Sequence, residues 1–232
     1  MGSVSFFWRT LRVGPKKDAD PLTQLRWTRR TCLAAAATAL QPWVAPTFTP
    51  QAWAGAQREE DLSDSVRTAL SAAVAERAPP GLPPFPSDEA RQAFLRWAAA
   101  VGAVLKPWMA EAHTREDFIH TLWYEATRAG LEPALVLGLI EVESGFRKYA
   151  ISAAGARGYM QVMPFWARSI GDGEPARLFH LQTNLRFGCV ILRHYLNVEQ
   201  GDLFMALGRY NGTRGLASYP QAVLAARQRW RL

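Results

Sequence analysis

The stretch PALVLGLIEVE, residues 133–143, constrains this chain more than any other. From Pro133 to Ile140 it is apolar all round, and a helix without a polar face has to be surrounded by protein. Pro133 suits the first turn, where its missing N–H leaves no bond unmade. The run ends in Glu141 and Glu143. Glu143 then stands at the C-terminal end of a buried helix. The partial negative charge of that terminus and partial burial both raise the pKa of a carboxyl. A carboxyl protonated near neutral pH is what a general acid requires. Glu141, roughly 200° around the helix, faces elsewhere. The plainer reading makes both exposed end-of-helix carboxylates, one paired with Arg147 or Lys148.

The flanking sequence reads as helix after helix. Residues 59–78 form one, with acids in the first turn. PPGLPPFP (79–86) breaks it as a semi-rigid connector. Ser87 caps a helix to about Lys106, stopped by Pro107. Thr114 and Asp117 resemble a capping box for a helix carrying Phe118, Leu122 and Ala126 on one face and ending at Gly130. After residue 143 comes a loop, 144–158, with Gly145, Gly155 and Gly158. Short helices follow from Tyr159 to Met163 and from Phe165 to Ile170, then longer ones over 183–199, 202–211 and 219–230. No alternating run anchors a sheet and there are no repeats. The fold class expected is mostly α.

Composition divides the chain. Hydrophobic residues make up 49% and charged residues 20%, enough apolar material for a core. The net charge is +7, but residues 1–54 hold seven Lys/Arg against two Asp, which leaves only +2 for the rest. The body therefore carries no basic stripe, and nucleic acid is not an expected partner. Residues 1–54 read as an address: Arg29 and Arg30 precede an Ala/Leu-rich core, and QAWA ends at Ala54. That is a secretory signal peptide of the twin-arginine type, too weakly apolar to span a membrane. The expected location is the periplasm. Cys32 lies in the signal and Cys189 would be alone afterwards, a small buried residue rather than a nucleophile. His113, His120, His180 and His194 have no ligand spacing. Neither metal nor cofactor is expected. Nine Trp allow aromatic surfaces for a flat ligand, although core packing accounts for them as well.

No Asp or Glu occurs between Glu143 and Asp172. Glycosidases that work with two carboxylates need the second within a few ångströms of the first. Asp172, Glu174, Glu199 and Asp202 remain as candidates. The alternative is an enzyme with one acid whose substrate brings its own nucleophile, as the acetamide oxygen of an N-acetyl sugar can.

Glu143-Ser144, then Gly158-Tyr159-Met160-Gln161, then Asn184-Leu185-Arg186, then Arg209-Tyr210-Asn211-Gly212 run in an order and spacing that resembles the soluble lytic transglycosylase (SLT) family. That family shares the goose-type lysozyme fold. The resemblance covers about 100 residues, from Pro133 to Leu224. Tyr159 stands where the family has Leu, and Tyr-Asn-Gly lacks the family's Ala between Asn and Gly, which alters the loop from Gly212 onward. The resemblance implies a substrate, the glycan strand of peptidoglycan, and a role for Glu143. As acid it protonates the oxygen between N-acetylmuramic acid and N-acetylglucosamine while the muramyl acetamide attacks the anomeric carbon. As base it then takes the O6 proton, and O6 closes a 1,6-anhydro end without water. One carboxyl suffices. Ser144, Tyr159, Met160, Gln161, Tyr210 and Asn211 are the expected substrate-binding residues: Ser144 and Gln161 to hold the acetamide, Tyr210 to orient Glu143 or the sugar, Asn211 for an N-acetyl group, Tyr159 and Met160 as apolar faces. Core packing and helix ending account equally for the Met and in part for Tyr210 and Asn211.

The domain layout expected is an export signal over 1–54, a helical extension with a Pro-rich linker over 55–110, and a lysozyme-like catalytic domain over 111–232. The partners are peptidoglycan strands and, as a further candidate, an envelope protein complex. A hydrolytic muramidase and an inactive wall-binding or scaffold domain are the alternatives.

Overall fold

Helix α4, Pro133–Ser144, is the element around which the chain is built. The computed structural model describes residues 57–75 and 85–232. The expected signal, 1–54, and most of the Pro-rich connector lie outside that range. Before α4 come α1 (Asp64–Ala75), α2 (Asp88–Leu105) and α3 (Ala112–Arg128). After it come α5 (Pro164–Ile170), a 3-10 turn over Pro175–Phe179, α6 (Leu181–Val198), α7 (Leu203–Asn211) and α8 (Ser218–Arg229). The described residues hold no strand, only isolated bridges. The fold is mostly α, as the sequence predicts, and among the described residues no helix is long and apolar enough to cross a membrane.

The all-round apolar surface of α4 is enclosed as expected: Leu135 through Ile140 are buried, and Pro133 opens the helix. Helix α8 packs on it. The two backbones meet at Gly138, where a Cβ would stand 2.6 Å from the Arg227 amide nitrogen. Helices α3 and α6 pack together through a buried ion pair, with Arg186 Nη2 2.8 Å from Glu125 Oε1 and Arg128 Nε 3.2 Å from Glu125 Oε2. Charges this deep are tolerated because each finds its opposite. Helix α2 rests on α3 through Phe94 and Trp97, whose ring centroids lie 5.0 and 4.8 Å from that of Trp123.

 Trp123 is the ring that both Phe94 and Trp97 meet. Trp166 and Trp230 are core residues, so packing accounts for much of the high tryptophan count. Cys189 is buried in α6, and burial pushes its thiol pKa up, as suits a small apolar residue.

Three expectations need correction. Residues 159–163 are not a helix. Gly158 and Gln161 have φ of 75° and 49°, and Arg157 and Val162 exchange backbone hydrogen bonds of 2.9 and 3.0 Å across a tight turn. The side chain of Asn184 takes over what a helix would have satisfied: its Oδ1 accepts from the Met160 N–H at 2.8 Å, and its Nδ2 donates to the Arg157 and Leu178 carbonyls. Helix α3 begins earlier than the Thr114/Asp117 pair suggests, because Glu111 is the cap and accepts from the Thr114 N–H at 2.8 Å. The first helix is shorter than 59–78: α1 starts at Asp64, and residues 57–63 are irregular. The 3-10 turn at Pro175–Phe179 falls in a stretch whose sequence predicts no helix.

Candidate active site

Glu143 lies one residue before the end of α4 and is 2% exposed. Its Oε1 accepts a 2.5 Å hydrogen bond from the Tyr219 hydroxyl at the start of α8. Its Oε2 is buried without a hydrogen-bond partner. Burial raises the carboxyl pKa, the Tyr219 bond lowers it in part, and the net value is about 8. The group is thus protonated at neutral pH and has one oxygen uncommitted. Glu141 does face elsewhere: it accepts from Arg229 at 2.5 Å and from the Trp230 indole at 2.6 Å, not from Arg147 or Lys148.

The chain leaves α4 sharply. Gly145 is left-handed and its N–H returns to the Glu141 carbonyl, while Phe146, a non-glycine, has φ of 60°. This turn carries residues 147–152 across the end of the helix. Together with Glu143 and Gln161 they line a cleft of ≈ 460 Å³. Arg147, Lys148 and Tyr149 stand exposed at its lip. No other carboxylate lines it. Asp172 is paired with Arg177, Asp202 caps α7, and Glu199 is held ionised by Arg209 and Arg214, its pKa lowered to about 2. Glu174 borders a larger cavity of ≈ 550 Å³ among α1, α5 and α6, which does not include Glu143.

Of the six residues expected to bind substrate, the structure brings Gln161 into the cleft beside Glu143. Its Nε2 donates to the Gly158 and Ala150 carbonyls, which ties the turn to the lip. Ser144 is buried and its hydroxyl donates to the Tyr159 carbonyl at 2.7 Å. Tyr159 packs its ring on Phe118, centroids 5.0 Å apart. Met160 is fully buried against Gly188, where a Cβ would stand 2.3 Å from its sulfur. Tyr210 donates to the Met160 carbonyl at 2.8 Å and not to Glu143. Asn211 accepts from Thr213 at 3.1 Å, and its buried Nδ2 has no partner. Four of the six therefore brace the floor of the site. The partner of Glu143 that sequence reasoning missed is Tyr219, 76 residues away. Its trace in the sequence is indirect: Gly138 marks the face of α4 on which α8 lies.

Residues 122–223 match the family model "Transglycosylase SLT domain". A membrane-bound lytic murein transglycosylase C from Actinobacillus pleuropneumoniae serotype 5b (strain L20) is 35% identical over 99 residues, which cover 40% of this chain and 24% of that protein. A transglycosylase of Enterobacteria phage PRD1 is 32% identical over 102 residues, covering 42% of this chain and 37% of that protein. The chain thus spans well under half the length of either relative. Among solved structures, an inactive mutant of the lytic transglycosylase Slt from Pseudomonas aeruginosa matches 60% of this chain and 29% of its own, with TM-score 0.44 and 20% identity. Residues 122–223 are thus what this chain shares with the transglycosylase SLT family.

Proposed function

We propose that the chain is a peptidoglycan lytic transglycosylase in which Glu143 serves as both acid and base. The observation that carries this is a single buried carboxyl, protonated at neutral pH, in a cleft that no second carboxylate lines. A double-carboxylate hydrolysis needs a partner within about 10 Å, and the acids nearest in sequence are engaged elsewhere. A lone acid fits a substrate that supplies its own nucleophile. Glu143 protonates the oxygen between N-acetylmuramic acid and N-acetylglucosamine as the muramyl acetamide attacks the anomeric carbon and the glycosidic bond breaks. The resulting carboxylate then takes the proton of the sugar O6, which displaces the acetamide and closes the 1,6-anhydro ring. Tyr219 steadies the carboxylate between the two steps through its 2.5 Å bond.

Gln161 contacts substrate in this reading, and Asn211 offers its unpartnered amide to an N-acetyl group. Ser144, Tyr159, Met160 and Tyr210 act on the substrate through the turn they hold. The catalytic domain is assigned to 111–232 and a helical extension to 55–110. Residues 1–54 export the chain to the periplasm. The names of the relatives, lytic murein transglycosylases, support the same activity.

The test is mass spectrometry of fragments released from purified peptidoglycan by the protein and by Glu143→Gln. Fragments one water lighter than hydrolysis products, absent with Glu143→Gln, are expected. Water-containing ends would make it a muramidase instead. Equal silence from both proteins would favour a wall-binding role.

A further inference from the structure

Before α1 runs an irregular segment whose first described residue, Gln57, is 4% exposed while Arg58 and Glu59 are exposed. Gln57 is buried among residues far along the chain. Its Oε1 accepts from the Met163 N–H at 3.3 Å, 106 residues away, and its side chain lies against the Tyr210 hydroxyl. Met163 is two residues beyond Gln161, and Tyr210 stands within electrostatic reach of Glu143. The amide is only half satisfied: Gln57 Nε2 is buried without a partner, and so is Nδ2 of neighbouring Asn211 in the Tyr210-Asn211 pair. Three residues on, Glu60 meets Arg209 at 2.8 Å. Arg58 and Glu60 also form a wall of a second cleft, ≈ 440 Å³, with Arg209 and Gly212–Arg214.

We propose that residues 57–60 are a displaceable plug, in which the Gln57 carboxamide occupies a pocket that takes an N-acetyl group of the glycan. This rests on the function proposed above. A carboxamide and an N-acetyl group present the same carbonyl acceptor and N–H donor. The pocket offers that acceptor the Met163 N–H. Glu143 lines its cleft but is only 2% exposed, so a glycosidic oxygen reaches it fully only when the walls of the site give way. The plug is the element suited to moving. Its ion pair is part-exposed, of the kind that contributes little. Arg209 also bonds Glu199 at 2.7 Å, so the departure of Glu60 strands no charge. The long 3.3 Å bond that Gln57 accepts from Met163 is replaced by the ligand's own.

The experiment uses the full chain. Binding of tri-N-acetylchitotriose is measured by calorimetry in a Glu143→Gln background, with and without Gln57→Ala and Glu60→Ala. A state that must first lose its plug binds with its affinity reduced by the fraction open, so the double variant is expected to bind about 3- to 10-fold tighter. With Glu143 restored, fragment release from peptidoglycan rises by a similar factor. Unchanged or weaker binding at an unchanged melting temperature overturns the plug and makes residues 57–60 a fixed part of the wall. If the double variant melts early, Glu60→Gln alone carries the test, and it too must tighten binding. Should the wild-type chain release no fragments, the function proposed above fails while the calorimetry still decides on the plug.

Discussion

Tyr219 and Glu143 together set the pH behaviour of the site. Burial holds the Glu143 carboxyl pKa at about 8 even against the lowering by the Tyr219 bond. Tyr219→Phe removes that bond, so the alkaline limb of the rate profile should move upward. At the same time kcat should fall about 10- to 100-fold, because the carboxylate of the second step loses its only hydrogen bond. A pH–rate profile with kcat and KM measured separately checks both, and a fall in rate without a moved limb would reduce Tyr219 to packing. Stability follows from the same group. Between about 4.5 and 8 the folded protein keeps a proton that the unfolded chain has released, so stability falls as pH rises through that window. At pH 7 the loss is about 3 kcal/mol. Glu143→Gln escapes it, and should melt roughly 6–12 °C higher than the wild type at pH 7, with almost no gain at pH 5. Thermal melts at the two pH values check this. Glu143 was legible in the sequence because an apolar helix ends in it. Tyr219 was not, because nothing local distinguishes a tyrosine whose partner lies 76 residues away.

Two close approaches decide whether the elements hold the site. Gly138 lets α8 come down on α4, and the backbone at Arg227 leaves no room for a methyl group. Gly138→Ala should push α8 outward and carry Tyr219 away from Glu143. Activity is expected to fall by more than tenfold, with a loss of stability in the 1–3 kcal/mol range typical of overpacking; denaturant titration and fragment release check the pair. Gly158 combines a φ of 75° with a Cβ position 2.3 Å from Asn184 Nδ2 and 2.7 Å from the Leu178 carbonyl. Asn184→Leu removes two bonds to that turn and one to the Leu178 carbonyl, and leaves the Met160 N–H buried and unpaired. It should cost roughly 2–4 kcal/mol, since each stranded polar group costs about 1–3 kcal/mol. Helices were readable here from caps and periodicity: Ser87 and Pro133 open the helices they were expected to open, and α7 ends at Gly212. The 157–162 turn was misread because its backbone bonds go to a side chain on α6, and local sequence does not announce a partner supplied from 24 residues downstream.

Burial is graded across the whole molecule, and so should be its opening. In α4, nine of the twelve residues are buried, and those amides can meet solvent only when the core itself comes apart. Helix α1 buries Leu70 alone. It is tied to the rest by the Arg128 bond to the Ala73 carbonyl, 2.7 Å, near one end and by the Glu60–Arg209 pair beyond the other. Such an element opens locally. Native-state hydrogen exchange at rising denaturant should therefore find α4 amides exchanging with the global slope and α1 amides exchanging earlier with a shallow one. The two ends of α1 are also unequal. Its N-terminal end follows the segment that carries buried Gln57, so a glycan that displaces Gln57 should speed exchange around Asp64–Arg67 while slowing it in α4 and in the 157–162 turn. Tri-N-acetylchitotriose added to Glu143→Gln protein makes that comparison without turnover. Exchange that slows everywhere on binding would mean that the N-terminal segment stays seated, and that the glycan reaches Glu143 past it.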